Sequence, residues 1–98
     1  MSSDQKFTTI TATGRVKTIS GGSTNMGPCR VTYIQAEGAA SAKLILRNDA
    51  AGSGDKIFEA DFGTEGLDIY VPGNGIRFDT TLHATLTATG SVTIGYTG

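Results

Sequence analysis

What most limits the folds open to this chain is a period-two alternation of apolar and polar residues, interrupted roughly every 8–12 residues by glycine, proline, asparagine or aspartate. Successive side chains of a strand point to opposite faces, so alternation selects half-buried β-structure and conflicts with the 3.6-residue period of a helix. From Phe7 to Ser20, Ile10, Ala12, Gly14 and Val16 share one face, while Thr9, Thr11, Thr13, Arg15 and Lys17 share the other. Phe7 and Ile19 are out of phase with this stretch, and Phe7 is expected to dock elsewhere. Cys29, Val31 and Tyr33 alternate next, with Ile34 opposite them, the pattern of a central strand covered on both faces. Leu44 and Leu46, then Phe58, Ala60 and Phe62, flank a loop rich in Asn, Asp and Gly and predict a hairpin. Leu67, Ile69 and Val71 follow; Leu82, Ala84, Leu86 and Ala88 lead through Gly90 into Val92, Ile94 and Tyr96, a second expected hairpin.

Composition agrees. Fifteen threonines and eight isoleucines, all β-branched, favour a pleated surface over a helix. Ninety-eight residues suffice for one domain. Short strands at this spacing point to a two-sheet sandwich or a small barrel. The stretch Gly21–Pro28, with three glycines and a proline, predicts a mobile surface loop that includes Met26.

Several function classes lack their residues. Eight basic and nine acidic side chains are scattered singly, so no basic stripe offers itself to nucleic acid. One histidine, His83, cannot supply the paired imidazoles of a jelly-roll oxygenase, and its phase with the threonines predicts a solvated position. One cysteine, Cys29, permits no internal disulfide, has no evident base beside it and is expected to be a small buried residue. Asn48, Asp49, Asp55 and Glu59 lack the ligand spacing of a calcium loop and predict an ordinary turn. Catalytic residues, metal ligands and cofactors are therefore all expected to be absent. The start MSSDQKF has no apolar signal core, and the longest aliphatic run, Leu44-Ile45-Leu46, is far below the roughly 20 residues that span a bilayer, so no membrane partner is expected. No tryptophan is present, and Tyr33 and Tyr96 are in phase with core positions, leaving Tyr70 as the exposed aromatic.

A threonine-rich start closing on Gly14-Arg15-Val16-Lys17 precedes the run Leu44-Ile45-Leu46-Arg47-Asn48-Asp49 to Gly54 with Lys56-Ile57-Phe58. The turn Pro72-Gly73-Asn74-Gly75 with Ile76-Arg77-Phe78 and a terminal Val92-Thr93-Ile94-Gly95-Tyr96 follow in that order. Together these segments resemble small tailed-phage virion proteins of the head decoration, or cement, family over residues 8–97. The chain departs from that pattern in its longer Gly21–Pro28 loop and in carrying His83, where many relatives have an aromatic after the position of Leu82. The alternation gives about eight strands in residues 7–98 and the polar residues 1–6 a flexible N-terminal arm, and the resemblance implies that the strands form a single small jelly-roll-like β-sandwich. It further implies a non-enzymatic protein made in the host cytoplasm that binds the major capsid protein on the virion exterior as a homotrimer. Phe7, Met26 and Tyr70 are the expected capsid or subunit contacts. The alternative is a glycan- or receptor-binding sandwich of a tail or fibre, using loops near Asn25, Asn74 or Tyr70.

Overall fold

A computed structural model describes residues 5–98. Among them lie nine strands and a single 3₁₀ turn at Gly63–Glu65. The strands are β1 (Lys6–Ile10), β2 (Gly14–Arg15), β3 (Cys29–Ala36), β4 (Lys43–Arg47), β5 (Lys56–Asp61), β6 (Leu67–Tyr70), β7 (Ile76–Phe78), β8 (His83–Thr87) and β9 (Val92–Thr97). One sheet runs β1-β9-β3-β6, with β7 continuing along β3, and the other runs β2-β8-β4-β5. Below they are the front and back sheets.

Every pairing is antiparallel, and the pairs are nested: β1 with β9, β2 with β8, β3 with β6 and β7, β4 with β5. The chain is thus one long hairpin ribbon with its tip at the β4–β5 loop, rolled until β9 meets β3 and β8 meets β4. This is a jelly roll, the expected all-β sandwich. Val31, Ile34, Val92, Ile94 and Phe78 of the front sheet pack on Leu44, Leu46 and Ala84 of the back sheet, with Leu82, Val16 and Met26 completing the core. The free edge of β5 carries Glu59 paired with Lys43 at 2.8 Å and Lys56 at 3.5 Å, charges that discourage a foreign strand from adding there.

Four expectations are corrected by this topology. The stretch Phe7–Ser20 is two strands, because the chain leaves the front sheet after Ile10 and enters the back sheet at Gly14. β8 and β9 are not a hairpin: Ala88, at φ +64°, and Gly90 turn the chain from the back sheet to the front, where the Thr89 hydroxyl donates to the Glu37 carbonyl. The Gly21–Pro28 loop is tied down, since the Thr18 N–H donates to the Thr24 carbonyl and the Met26 N–H to the Val16 carbonyl. Of the expected arm, only Gln5 and Lys6, where β1 begins, are among the described residues, and the rest lies outside them.

The fourth correction concerns phase. Along β9, Tyr96 and Gly95 are consecutive, yet they face Val31 and Tyr33, so Thr32 is an extra residue in β3. A bulge of this kind reverses which face the following residues occupy. Cys29 and Val31 therefore point inward before it and Ile34 and Ala36 after it, while Tyr33 is turned outward, against the expectation of a core tyrosine. Tyr96 is buried as expected and donates its hydroxyl to the Thr18 carbonyl at 2.6 Å.

Candidate functional site

With Tyr33 turned out, the register of the front sheet lines up four positions across its outer face: Phe7 opposite Gly95, Gly95 opposite Tyr33, and Tyr33 opposite Tyr70. A Cβ on Gly95 would lie 2.9 Å from both the Phe7 ring and the Tyr33 Cβ. Glycine at this point leaves the slot through which Phe7 lies edge-to-face on Tyr33, ring centres 6.1 Å apart. The Tyr33 hydroxyl donates to Asp68 at 2.7 Å, and that bond, with some desolvation and the carboxylate's charge, raises the phenol above its usual range. Phe7 remains 56% exposed and Tyr70 71% exposed. Aromatics on a rigid sheet present contact area at little entropic cost, which is why they concentrate in interfaces.

Two hollows open beside this row and share Pro28, Cys29 and Gly98. The smaller, of about 350 Å³, is an apolar groove in which Phe7, Ile19 and Tyr96 surround Met26. The larger, of about 630 Å³, is polar, with Arg30, Arg77, Asn74 and Thr97 around the exposed Tyr70 ring. Thr32, the bulge residue, lines this second hollow and donates its hydroxyl to Gln5 Oε1 at 3.0 Å. The three expected contact residues are thus divided: Phe7 and Met26 meet in one groove and Tyr70 stands in the other. Met26 is only 2% exposed, so it forms the floor of its groove and cannot be a projecting contact.

Cys29 is buried under both hollows, and desolvation pushes its thiol up to about 11, the reverse of what a nucleophile needs. Among the described residues no three His, Cys, Asp or Glu side chains gather where a metal ion would need them. No described helix is long and apolar enough to cross a membrane.

The outer face of the back sheet is built differently. Its register places Arg15, His83, Arg47 and Lys56 in one row. The β4–β5 loop folds over that row, bringing Gly52 against the imidazole so closely that a Cβ would lie 2.6 Å from it. His83 is therefore buried, correcting the solvated position expected from its phase. Arg47 donates from Nε to the Gly54 carbonyl and from Nη1 to the Thr85 hydroxyl, and Arg15 donates to the Thr81 hydroxyl. Burial would raise the Asp49 carboxyl, but the N–H groups of Ser53, Gly54, Gly52 and Ala51 together hold it below its usual range. Asp49 is thus a turn-former, as expected, and its charge is used within the loop.

Phe7 and Tyr70 were legible from their phase, whereas Tyr33, Arg30 and Arg77 were missed as site residues. The latent signal was Ile34, whose apolar character opposite Cys29 and Val31 marks a phase change in the strand as well as a doubly covered one. Comparison with family models, curated proteins and solved structures finds no match for this chain.

Proposed function

We propose that this jelly roll is a phage head decoration protein, which binds the major capsid protein on the outside of the shell and stabilises it without chemical turnover. The observation that carries the proposal is the apolar groove at the edge of the front sheet, where Phe7 and Ile19 stand 56% and 65% exposed around Met26. Large apolar side chains held exposed on a rigid scaffold are suited to burial against a partner. The groove is to receive an apolar side chain of the shell protein, with Phe7 as the reciprocal anchor. The resemblance of the segment order to that of cement proteins supports the same partner. Attachment as a homotrimer suits a threefold shell position, because a symmetric site is matched by a symmetric binder. Many weak contacts over a shell then add to its stability by mass action.

Quantitative mass spectrometry of purified virions of the encoding phage tests this directly. Near-stoichiometric copies relative to the major capsid protein are expected. Absence of the chain, or a handful of copies per particle, overturns the proposal.

A further inference from the structure

The polar hollow of the front sheet is not required for attachment through the Phe7 groove, and it has its own chemistry. In the β3–β7 pairing, Cys29 faces Phe78 and Val31 faces Ile76, all turned toward the core side, so Arg30 and its partner Arg77 share the outer face. Like charges placed directly opposite each other across two strands are destabilising. Asp79 pairs with Arg77, while Arg30 makes no ion pair among the described residues. Among the described residues the nearest rows offer no second acid on this side: Arg30 faces Thr97 on β9, and Asp68, beyond Tyr70 on β6, accepts from Tyr33. Two guanidinium groups thus line a hollow of about 630 Å³, and among the described residues only that of Arg77 is paired with a carboxylate, Asp79.

We infer that this hollow binds an acidic saccharide, with Arg30 and Arg77 taking its carboxylate and the Tyr70 ring taking the apolar face of a sugar unit. The planar fork of arginine matches a carboxylate with paired, charge-assisted hydrogen bonds. Asn74 and Thr97 supply side chains that donate to and accept from hydroxyl groups at the rim. An acidic peptide offers the same charge, but it fits less well. An extended peptide binds by adding to a strand edge, and here that edge is broken between β6 and β7 by Pro72–Gly75, whose residues Gly73 and Asn74 form the wall of the hollow.

The inference does not depend on where the chain is found and is tested with the full-length protein alone. Titration calorimetry with trigalacturonate, against the same trisaccharide with its carboxyl groups reduced, is the primary experiment. Saturable binding of the acidic sugar is expected, weakened about tenfold or more by carboxyl reduction and by Arg30→Gln, as loss of a charged hydrogen-bonded pair requires. Arg77→Gln should weaken it likewise, Tyr70→Ala should weaken it for acidic and reduced sugars alike, and Tyr70→Phe should retain it. All four variants should melt within a few degrees of the parent, since these side chains lie on the surface. Absence of saturable binding, equal binding of the reduced sugar, or tighter binding of a glutamate-rich peptide would each overturn the inference.

Discussion

The two outer faces of this sandwich carry similar cargo and treat it in opposite ways. On the back sheet, the Arg15–His83–Arg47 row is roofed by the β4–β5 loop and its guanidinium groups donate to Thr81, Gly54 and Thr85. On the front sheet, no described residue roofs the Phe7–Tyr33–Tyr70 row, and Arg30 finds no acid among the described residues. A face that supplies its own partners contributes to stability. One that leaves aromatic and arginine side chains exposed in register has the makeup of an interface awaiting a partner. Under the proposed function, stability and recognition fall to different sheets, so substitutions on the two sides should separate cleanly.

The most severe way to break that separation is to delete Thr32. Without the bulge, one half of β3 must turn its core residues to solvent, and no cooperative thermal transition should remain by circular dichroism. Next is Gly52→Ala on the back sheet. Its φ of +80° and the 2.6 Å approach to the His83 ring make the added methyl group costly, by about 1–3 kcal/mol in urea denaturation, with little effect on partner binding.

Alkaline titration sharpens the comparison from beneath the front sheet. The Cys29 thiol rises from 9.0 to about 11 in the folded chain, which therefore keeps a proton that the unfolded chain has released. The associated stability is complete below about pH 9 and is lost as pH climbs through 11, because unfolding is then coupled to ionisation. Urea midpoints measured across that window should fall in the parent and fall less in Cys29→Ala. Phe7→Ala should have the smallest effect on the isolated fold, less than about 1 kcal/mol, because over half of the ring is already exposed. Capsid occupancy of that variant should nevertheless drop, and unchanged occupancy would remove the groove from the proposed contact.

Sequence alternation carried the architecture well because it follows from the geometry of a pleat. It revealed the β4–β5 hairpin, the buried Cys29 and the exposed Tyr70. Alternation reports that a residue sits on one of two faces, however, and is silent on what covers each face. His83 is in phase with outward threonines and is nonetheless buried, because a loop more than thirty residues earlier returns to cover it. Alternation also assumes an unbroken period. A single added residue, Thr32, moved Tyr33 from the expected core to the centre of the aromatic row, and bulges have no strong signature in one sequence. Pairing partners are beyond its reach as well, which is why β8 and β9 looked like a hairpin while lying in different sheets.

The nested pairing also has a consequence in time. During synthesis the tip of the ribbon, β4 with β5, emerges early and can pair at once, since its two strands are close in sequence. The front sheet has to wait, because β9 lies between β1 and β3 and is the last of the described strands to leave the ribosome. Until it arrives, β1 has no neighbour and β3 presents a bare edge, so a cell making this protein holds every unfinished copy in an adhesive state. Slow closure by such distant contacts favours conditions in which nascent chains are kept apart, and expression at low temperature or with a holding chaperone should raise the soluble yield.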